Sequence, residues 1–473
     1  MIIVTGYKQI TSFYVHLALI EAATGIMKLI QANLIFGEEV MRTQIPEHLP
    51  QRLTITMWDF SWYTMTAPGE PYSDLESRFA EAVERGYNTI RICAMPYFLF
   101  TAEGKRSGPL RLGSLGPIGQ RTRWYNCQGG AELDGHAHLL ELFRQARRHD
   151  CYIILSSWEY QQSPSFLEGP ELFEELLAIP PEERFMELAR SMGQLLHFLK
   201  QEGYEDRIAY AELHNEVEFG RLAQVAVDRN ISADAAGKII HCMKPYIEDA
   251  LDYLRTAHPD LLITSCYTLN QAYSKEYVAD NEQVAHFHLY LNGVLQELMD
   301  AAALHDHEQE YPNAFVRSLL REDAPPFVEW KLPASEEWRL HGNPVGLRLL
   351  YLHDWADPDQ WDLFLYDRYG AHKLAMLQKI DMRLDELQEW AEEKGLPIVI
   401  GEGYVGYTPL YAGFEEGPVG KFIAEYAIRK GIKLGFWGMV LCSNCAPHHP
   451  FWQDVAWQQR WNEAILQQAV PVR

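Results

Sequence analysis

No stretch of this sequence approaches the ~20 uninterrupted apolar residues that a membrane span needs. Positive charge is scarce: 41 Lys and Arg stand against 65 Asp and Glu, a formal net charge of −24 over 473 residues. Such a surface repels phosphate backbones, so neither nucleic acid nor membrane is an expected partner. Cysteine is sparse as well, with seven residues, an odd number. Most are scattered singly, which reads as reduced intracellular thiols and not as a disulfide framework. Cys442 and Cys445 form a lone CxxC, and the second pair that a zinc ribbon requires is missing. His448-His449 has no spaced carboxylate or third histidine to complete a metal site. No metal and no cofactor are expected. The chain also lacks a fixed-period repeat and a low-complexity linker. Its first strand-to-helix loop lacks the glycine-rich phosphate motif of an open dinucleotide-binding sheet. What remains has a globular composition, with 47% hydrophobic types and 22% charged.

Residues 1–49 read as an N-terminal extension, loosely docked or foreign to the fold. Met1 to Phe36 is mildly apolar, but His16, Glu21 and Lys28 interrupt it. No small-residue cleavage site follows a compact apolar core, so it makes a poor secretory signal and a cytoplasmic location is expected. Met41 opens a segment that looks like a more natural start.

From about residue 50 to the C-terminus, β-rich runs alternate with amphipathic helices. The strand candidates are 53–58, 88–95, 152–158, 207–214, 261–266, 284–290, 397–401 and 432–440. Between them, apolar residues recur at helical spacing, as in Leu75, Phe79, Ala82 and Val83 after a capping Asp74. Other helices span Leu139 to Ala146, Phe185 to Leu199, Ile239 to Leu254, Leu374 to Lys394, and Val419 to Lys430 with Gly431 as its stop. A crossover helix returns the chain to the same sheet edge, so the strands are expected to be parallel. Eight such units predict an α/β fold, a (β/α)8 TIM barrel over 50–473, with its site on the loops after the strand C-termini. Long insertions follow strand 2 (Pro96 to Gly135) and strand 6 (residues 291–371). The second holds Trp330, Trp338, Trp355 and Trp361 and is expected to form a lid or subsite wall.

Two carboxylates end apolar runs. The fourth strand runs into His214-Asn215-Glu216 and the seventh into Gly401-Glu402-Gly403-Tyr404. Cleaving a glycosidic bond needs one carboxyl group protonated and another ionised. Ends of two different barrel strands let such groups face each other. Glu212 and Glu218 share Glu216's side of an extended strand and are its rivals. Trp58-Asp59 ends strand 1 and Trp158-Glu159 ends strand 3, placing further acids and aromatics on the same face, with Tyr404 beside Glu402.

In these motifs the chain resembles the retaining glycoside hydrolases of clan A, the family 5 cellulases and most closely a bacterial cellulase-like group. The resemblance covers about 50–465. It implies Glu216 as acid/base, Glu402 as nucleophile and Asn215 as the partner of a sugar 2-hydroxyl. It further matches Arg91 to the strand-2 arginine beneath the nucleophile. His288-Leu-Tyr290 matches the strand-6 motif whose Tyr hydroxyl reaches that nucleophile. Trp437 matches the strand-8 tryptophan that floors the reacting subsite. Val217 stands where family 5 often has Pro, and Ser156-Ser-Trp-Glu-Tyr160 lacks the usual Asp-x-His. The expectation is a β-glycoside hydrolase acting with retention on oligosaccharides or small glycosides. The alternatives are an idle sugar-binding barrel and a transglycosidase using the same residues. The sequence carries no signal for oligomeric state.

Overall fold

The computed structural model describes residues 43–56, 61–114, 128–158, 166–218, 236–269, 277–304, 309–334, 340, 346–406 and 409–469. The expectations for residues 1–42, Trp58, Asp59, Glu159 and Trp338 lie outside the described residues.

The barrel strands are β1 (Leu53–Thr56), β2 (Thr89–Cys93), β3 (Tyr152–Ser156), β4 (Ile208–Glu212), β5 (Ile263–Thr264), β6 (Cys266–Thr268), β7 (Ala285–Tyr290), β8 (Ile398–Tyr404) and β9 (Gly438–Val440). All neighbours pair in parallel, in the order β6-β7-β8-β9-β1-β2-β3-β4-β5. β5 lies in the fifth sequence candidate and β6 starts at its last residue, the two joined through Ser265, so the ends of the strand order meet there. The eight expected strand positions are therefore present.

Outside the ring run α1 (Leu75–Glu84), α2 (Gly135–Arg148), α3 (Arg184–Gln201), α4 (Ala236–Ala257), α5 (Pro358–Lys394), α6 (Pro418–Leu434) and α7 (Val455–Gln467). Asp74 caps α1 by accepting from Ser77 N at 3.1 Å. Leu75, Phe79 and Ala82 are buried, whereas Val83 faces out.

Three boundaries differ from the sequence expectation. Gly431 does not stop α6, which runs on to Leu434 and ends at Gly435 with φ 75°. Residues 432–434 are therefore helical, and the last strand is only Gly438–Val440. Gly431 instead allows close packing, because a Cβ there would sit 2.5 Å from Met439 Sδ. The helix expected from Leu374 begins at Pro358, since Trp361, Phe364 and Leu365 extend the buried stripe of Met376, Ile380 and Leu384. The loop after β7 is shorter by that much. Finally, residues 43–49 belong to the barrel. Ile45 and Leu49 pack on the apolar cluster of Leu53, Ile154, Tyr210, Val399 and Trp437 that fills its N-terminal end. Tyr152 Oη also donates to His48 O at 2.7 Å.

Of the tryptophans expected to wall the site, Trp330, Trp355 and Trp361 pack on the main core. Trp361 is buried with its ring 5.8 Å from His353, and the Trp330 ring lies 5.3 Å from Tyr351. Among the described residues, no helix is long and apolar enough to cross a membrane.

The break at Ser265 is held by a buried acid. Glu282 accepts from Ser265 N and Thr264 Oγ1, both at 2.7 Å, and from Tyr267 Oη at 2.8 Å. Burial pushes its carboxyl up to about 7 from 4.5. The folded protein thus binds the proton more tightly than the unfolded chain, so stability falls as pH rises between these values and then levels. The span is about 3 kcal/mol at ~1.36 kcal/mol per pH unit. Glu282→Gln is expected to flatten that slope. Urea midpoints of both proteins at pH 5 and pH 8 check it, and parallel curves would sink the idea.

Candidate active site

The C-terminal ends of β2, β4, β7 and β8 converge on one cluster. Arg91, in β2, is buried and lies at its centre. Its Nη1 donates to Glu402 Oε1 at 3.0 Å. Its Nε and Nη2 donate to the two Glu212 oxygens at 3.1 and 2.8 Å, and Nη2 also reaches Ser156 Oγ at 3.3 Å and Asn215 Oδ1. One guanidinium thus serves two carboxylates, a use of its planar fork that a lysine could not duplicate.

Glu212 is the deeper of the two acids. Although burial opposes its charge, the Arg91 cation holds its carboxyl far below the usual range. His286 Nδ1 lies 3.1 Å from it, and Ser156 Oγ donates at 2.8 Å. His286 Nε2 lies over Gly401, where a Cβ would come within 1.9 Å, so that position of β8 must be glycine. Arg91→Leu would leave Glu212 buried and unmatched. It is expected to cost about 3–5 kcal/mol, read as a drop in the urea midpoint; an unchanged midpoint would contradict the pairing.

Glu402 is almost fully buried. Besides Arg91 it accepts from Tyr290 Oη at 2.7 Å, and His288 Nδ1 lies 3.4 Å from its Oε1. Burial and then Glu402's charge raise the Tyr290 hydroxyl well above its usual range, so it stays protonated and donates. His288 Nδ1 is also 2.9 Å from Glu216 Oε1. Burial and the Arg91 charge push His288 well below its ordinary value, so the ring is neutral. Burial also keeps the Cys266 thiol protonated, and its Sγ lies 3.1 Å from His288 Nε2. A ring proton placed on Nδ1 serves the carboxyl groups and lets Nε2 accept from the thiol.

Glu216 sits just beyond β4 with φ 45°, a left-handed conformation that a non-glycine residue seldom adopts. The turn is pinned on both sides by Asn215 N donating to Ser157 O at 2.9 Å and Val217 N to Cys266 O at 3.1 Å. Such strain gathers where a side chain must be aimed. Burial, then the Glu402 and Glu218 charges, raise the Glu216 carboxyl well above its normal range. An oxygen of Glu216, one of Glu402 and a nitrogen of His288 all lie within 4.8 Å of one another. The rival Glu218 points elsewhere, accepting from Thr268 N at 2.7 Å.

Asn215 is fully buried, with Oδ1 on Arg91. That contact orients the amide and leaves Nδ2, a donor, without a partner among the described residues. Two expected sugar contacts need correction. Trp437 precedes β9 at the opposite, N-terminal end of the barrel, where its Nε1 donates to Pro50 O at 3.1 Å. It is part of the plug at that end and cannot floor the site. Tyr404 is buried, with its hydroxyl on Val440 O at 3.2 Å, so it braces the sheet. Trp158 is buried in the main core.

The sequence reading passed over Ser156, His286, Cys266 and Ser443. Ser443 Oγ lies 2.8 Å from Tyr290 Oη. Strand alternation places His286 on the inner face with His288 and Tyr290, a signal open to a closer reading.

The profile of one family, described as sugar-binding cellulase-like, matches residues 55–466. No curated protein matches the sequence. A candidate glycoside hydrolase of Parabacteroides distasonis has a similar structure, with TM-score 0.62 and 18% identity over 89% of this chain and 96% of that one. A family 5 xyloglucan-specific endo-β-1,4-glucanase from a metagenomic library, solved with cellotriose, aligns at TM-score 0.43 and 14% identity over 88% and 97% of the two chains. With a closed parallel barrel whose matched span takes in every strand-end acid described, the chain belongs to the sugar-binding cellulase-like family.

Proposed function

We propose that the protein is a retaining β-glycoside hydrolase acting on oligosaccharides or small glycosides. The observation that carries this reading is that an oxygen of Glu216 and one of Glu402 lie within 4.8 Å of each other, both beside His288 Nδ1, in opposed electrostatic settings. Retention needs carboxyl groups about 5–5.5 Å apart, whereas inversion leaves about 6.5–9.5 Å for a water. Glu216, desolvated and beside a second acid, is set to carry a proton. Glu402, beside a cation and a phenol, is set to be ionised.

In the first step a Glu402 oxygen attacks the anomeric carbon as the glycosidic C–O bond breaks. The Glu216 proton goes to the departing oxygen. His288 donates to Glu216 Oε1, which directs that proton to the other oxygen. In the second step Glu216, now a carboxylate, takes a proton from water. The water oxygen bonds the anomeric carbon and Glu402 leaves, so the two inversions restore the configuration. The free Asn215 Nδ2 suits a sugar 2-hydroxyl.

The test is intact mass after incubation with activated 2-deoxy-2-fluoro β-glycosides of the gluco, galacto, manno and xylo series. One stoichiometric adduct, mapped to Glu402, is expected. A folded protein that binds these sugars in titration but forms no adduct would instead be a sugar-binding barrel without turnover.

A further inference from the structure

The turn after β9 reaches back to the nucleophile strand. Ser443 N donates to Gly403 O at 2.6 Å, and Gly403 N donates to Ser443 Oγ at 3.0 Å. Ser443 is buried, and its Oγ lies 2.8 Å from Tyr290 Oη, which donates to Glu402 Oε2 at 2.7 Å. Both ends of this chain of contacts have fixed polarity. A peptide N–H only donates and an ionised carboxylate only accepts. Ser443 Oγ therefore spends a lone pair on Gly403 and has its own proton free. Tyr290 spends its proton on Glu402 and can meet Ser443 only as an acceptor. The contact between the two hydroxyls then runs from Ser443 to Tyr290.

We infer that Ser443 is a positioning residue for the nucleophile, directing every proton of a one-way relay, Gly403 N–H to Ser443 to Tyr290, onto Glu402. This rests on the proposed double displacement. A hydroxyl that accepts a hydrogen bond donates a stronger one, because successive bonds polarise each other. The relay therefore favours the carboxylate form of Glu402. That form is what the second step releases, when the glycosyl ester is broken. Without Ser443 the ester should accumulate, and Tyr290 should also be free to turn its proton away. Because the relay begins at the residue after the nucleophile, it adjusts with β8 and not against it.

The experiment uses the full chain with four proteins: wild type, Ser443→Ala, Tyr290→Phe and the double variant. The readout is the rate at which the 2-fluoroglycosyl adduct turns over. Ser443→Ala is expected to slow it by about tenfold, the effect of about one hydrogen bond, with little change in the rate of adduct formation. Ser443→Thr, which keeps the hydroxyl, is expected to restore most of it. In the Tyr290→Phe background the serine change is expected to add nothing, because its effect passes through the phenol. The same loss in both backgrounds would mean that Ser443 only packs, and would overturn the inference. If wild type forms no adduct at all, the proposed function fails. The relay is then decided by neutron diffraction of the deuterium-exchanged protein. A Tyr290 deuteron directed at Glu402 upholds it, and one directed at Ser443 overturns it.

Discussion

Glu402→Ala is expected to abolish turnover, with kcat falling about 10⁵–10⁶-fold, the scale seen when an enzyme loses its covalent nucleophile. The fold should survive, because Arg91 keeps Glu212 as a bidentate partner after the change. The space vacated by the carboxylate lies beside Arg91, Tyr290 and His288, all donors, and so accepts a small anion. Azide added to the variant should enter it, attack an activated β-glycoside and leave an α-glycosyl azide. That product has inverted configuration because only one displacement has occurred. Product stereochemistry by proton NMR reads the result directly. A β-azide, or turnover near wild type, would remove Glu402 from the nucleophile's role.

Glu216→Gln produces the second large effect, and its size should depend on the leaving group. A positioned general acid contributes roughly 10²–10⁴-fold. Alkyl and sugar leaving groups need that proton and should lose the whole of it. A dinitrophenolate departs unaided, so adduct formation from its glycosides should be nearly spared. The pH profile gives an independent sign. Burial and the Glu402 charge raise the Glu216 carboxyl, so the acid form persists above the ordinary carboxylate range. Activity is present while the proton is held and is lost as pH rises through that raised value. The alkaline limb of kcat/KM should therefore vanish in the variant. Equal losses on every leaving group, with the limb intact, would assign the acid elsewhere.

Much of this was legible before any coordinates. Periodicity placed all eight strands and located Glu216 and Glu402 at the ends of two of them. Gly431 looks like a stop because glycine usually ends helices, but here it is needed for contact with Met439, a partner remote from the local pattern. Trp437 misled for a related reason. Its ring type suits a sugar, yet it precedes β9 and falls at the N-terminal end of the barrel, among Leu53, Tyr210 and Val399.

The sequence by itself determined the alternation of strands and helices, the acidic balance and the pair of strand-end glutamates, because these follow from local spacing and side-chain chemistry. Only the tertiary structure decided which charge each acid meets. Glu212 and Glu216 stand four residues apart with the same side chain, yet one meets Arg91 and the other meets Glu402. A carboxyl's charge depends on the neighbours that folding brings within a few ångströms and on the water it excludes. Neither quantity is written in the order of residues along the chain.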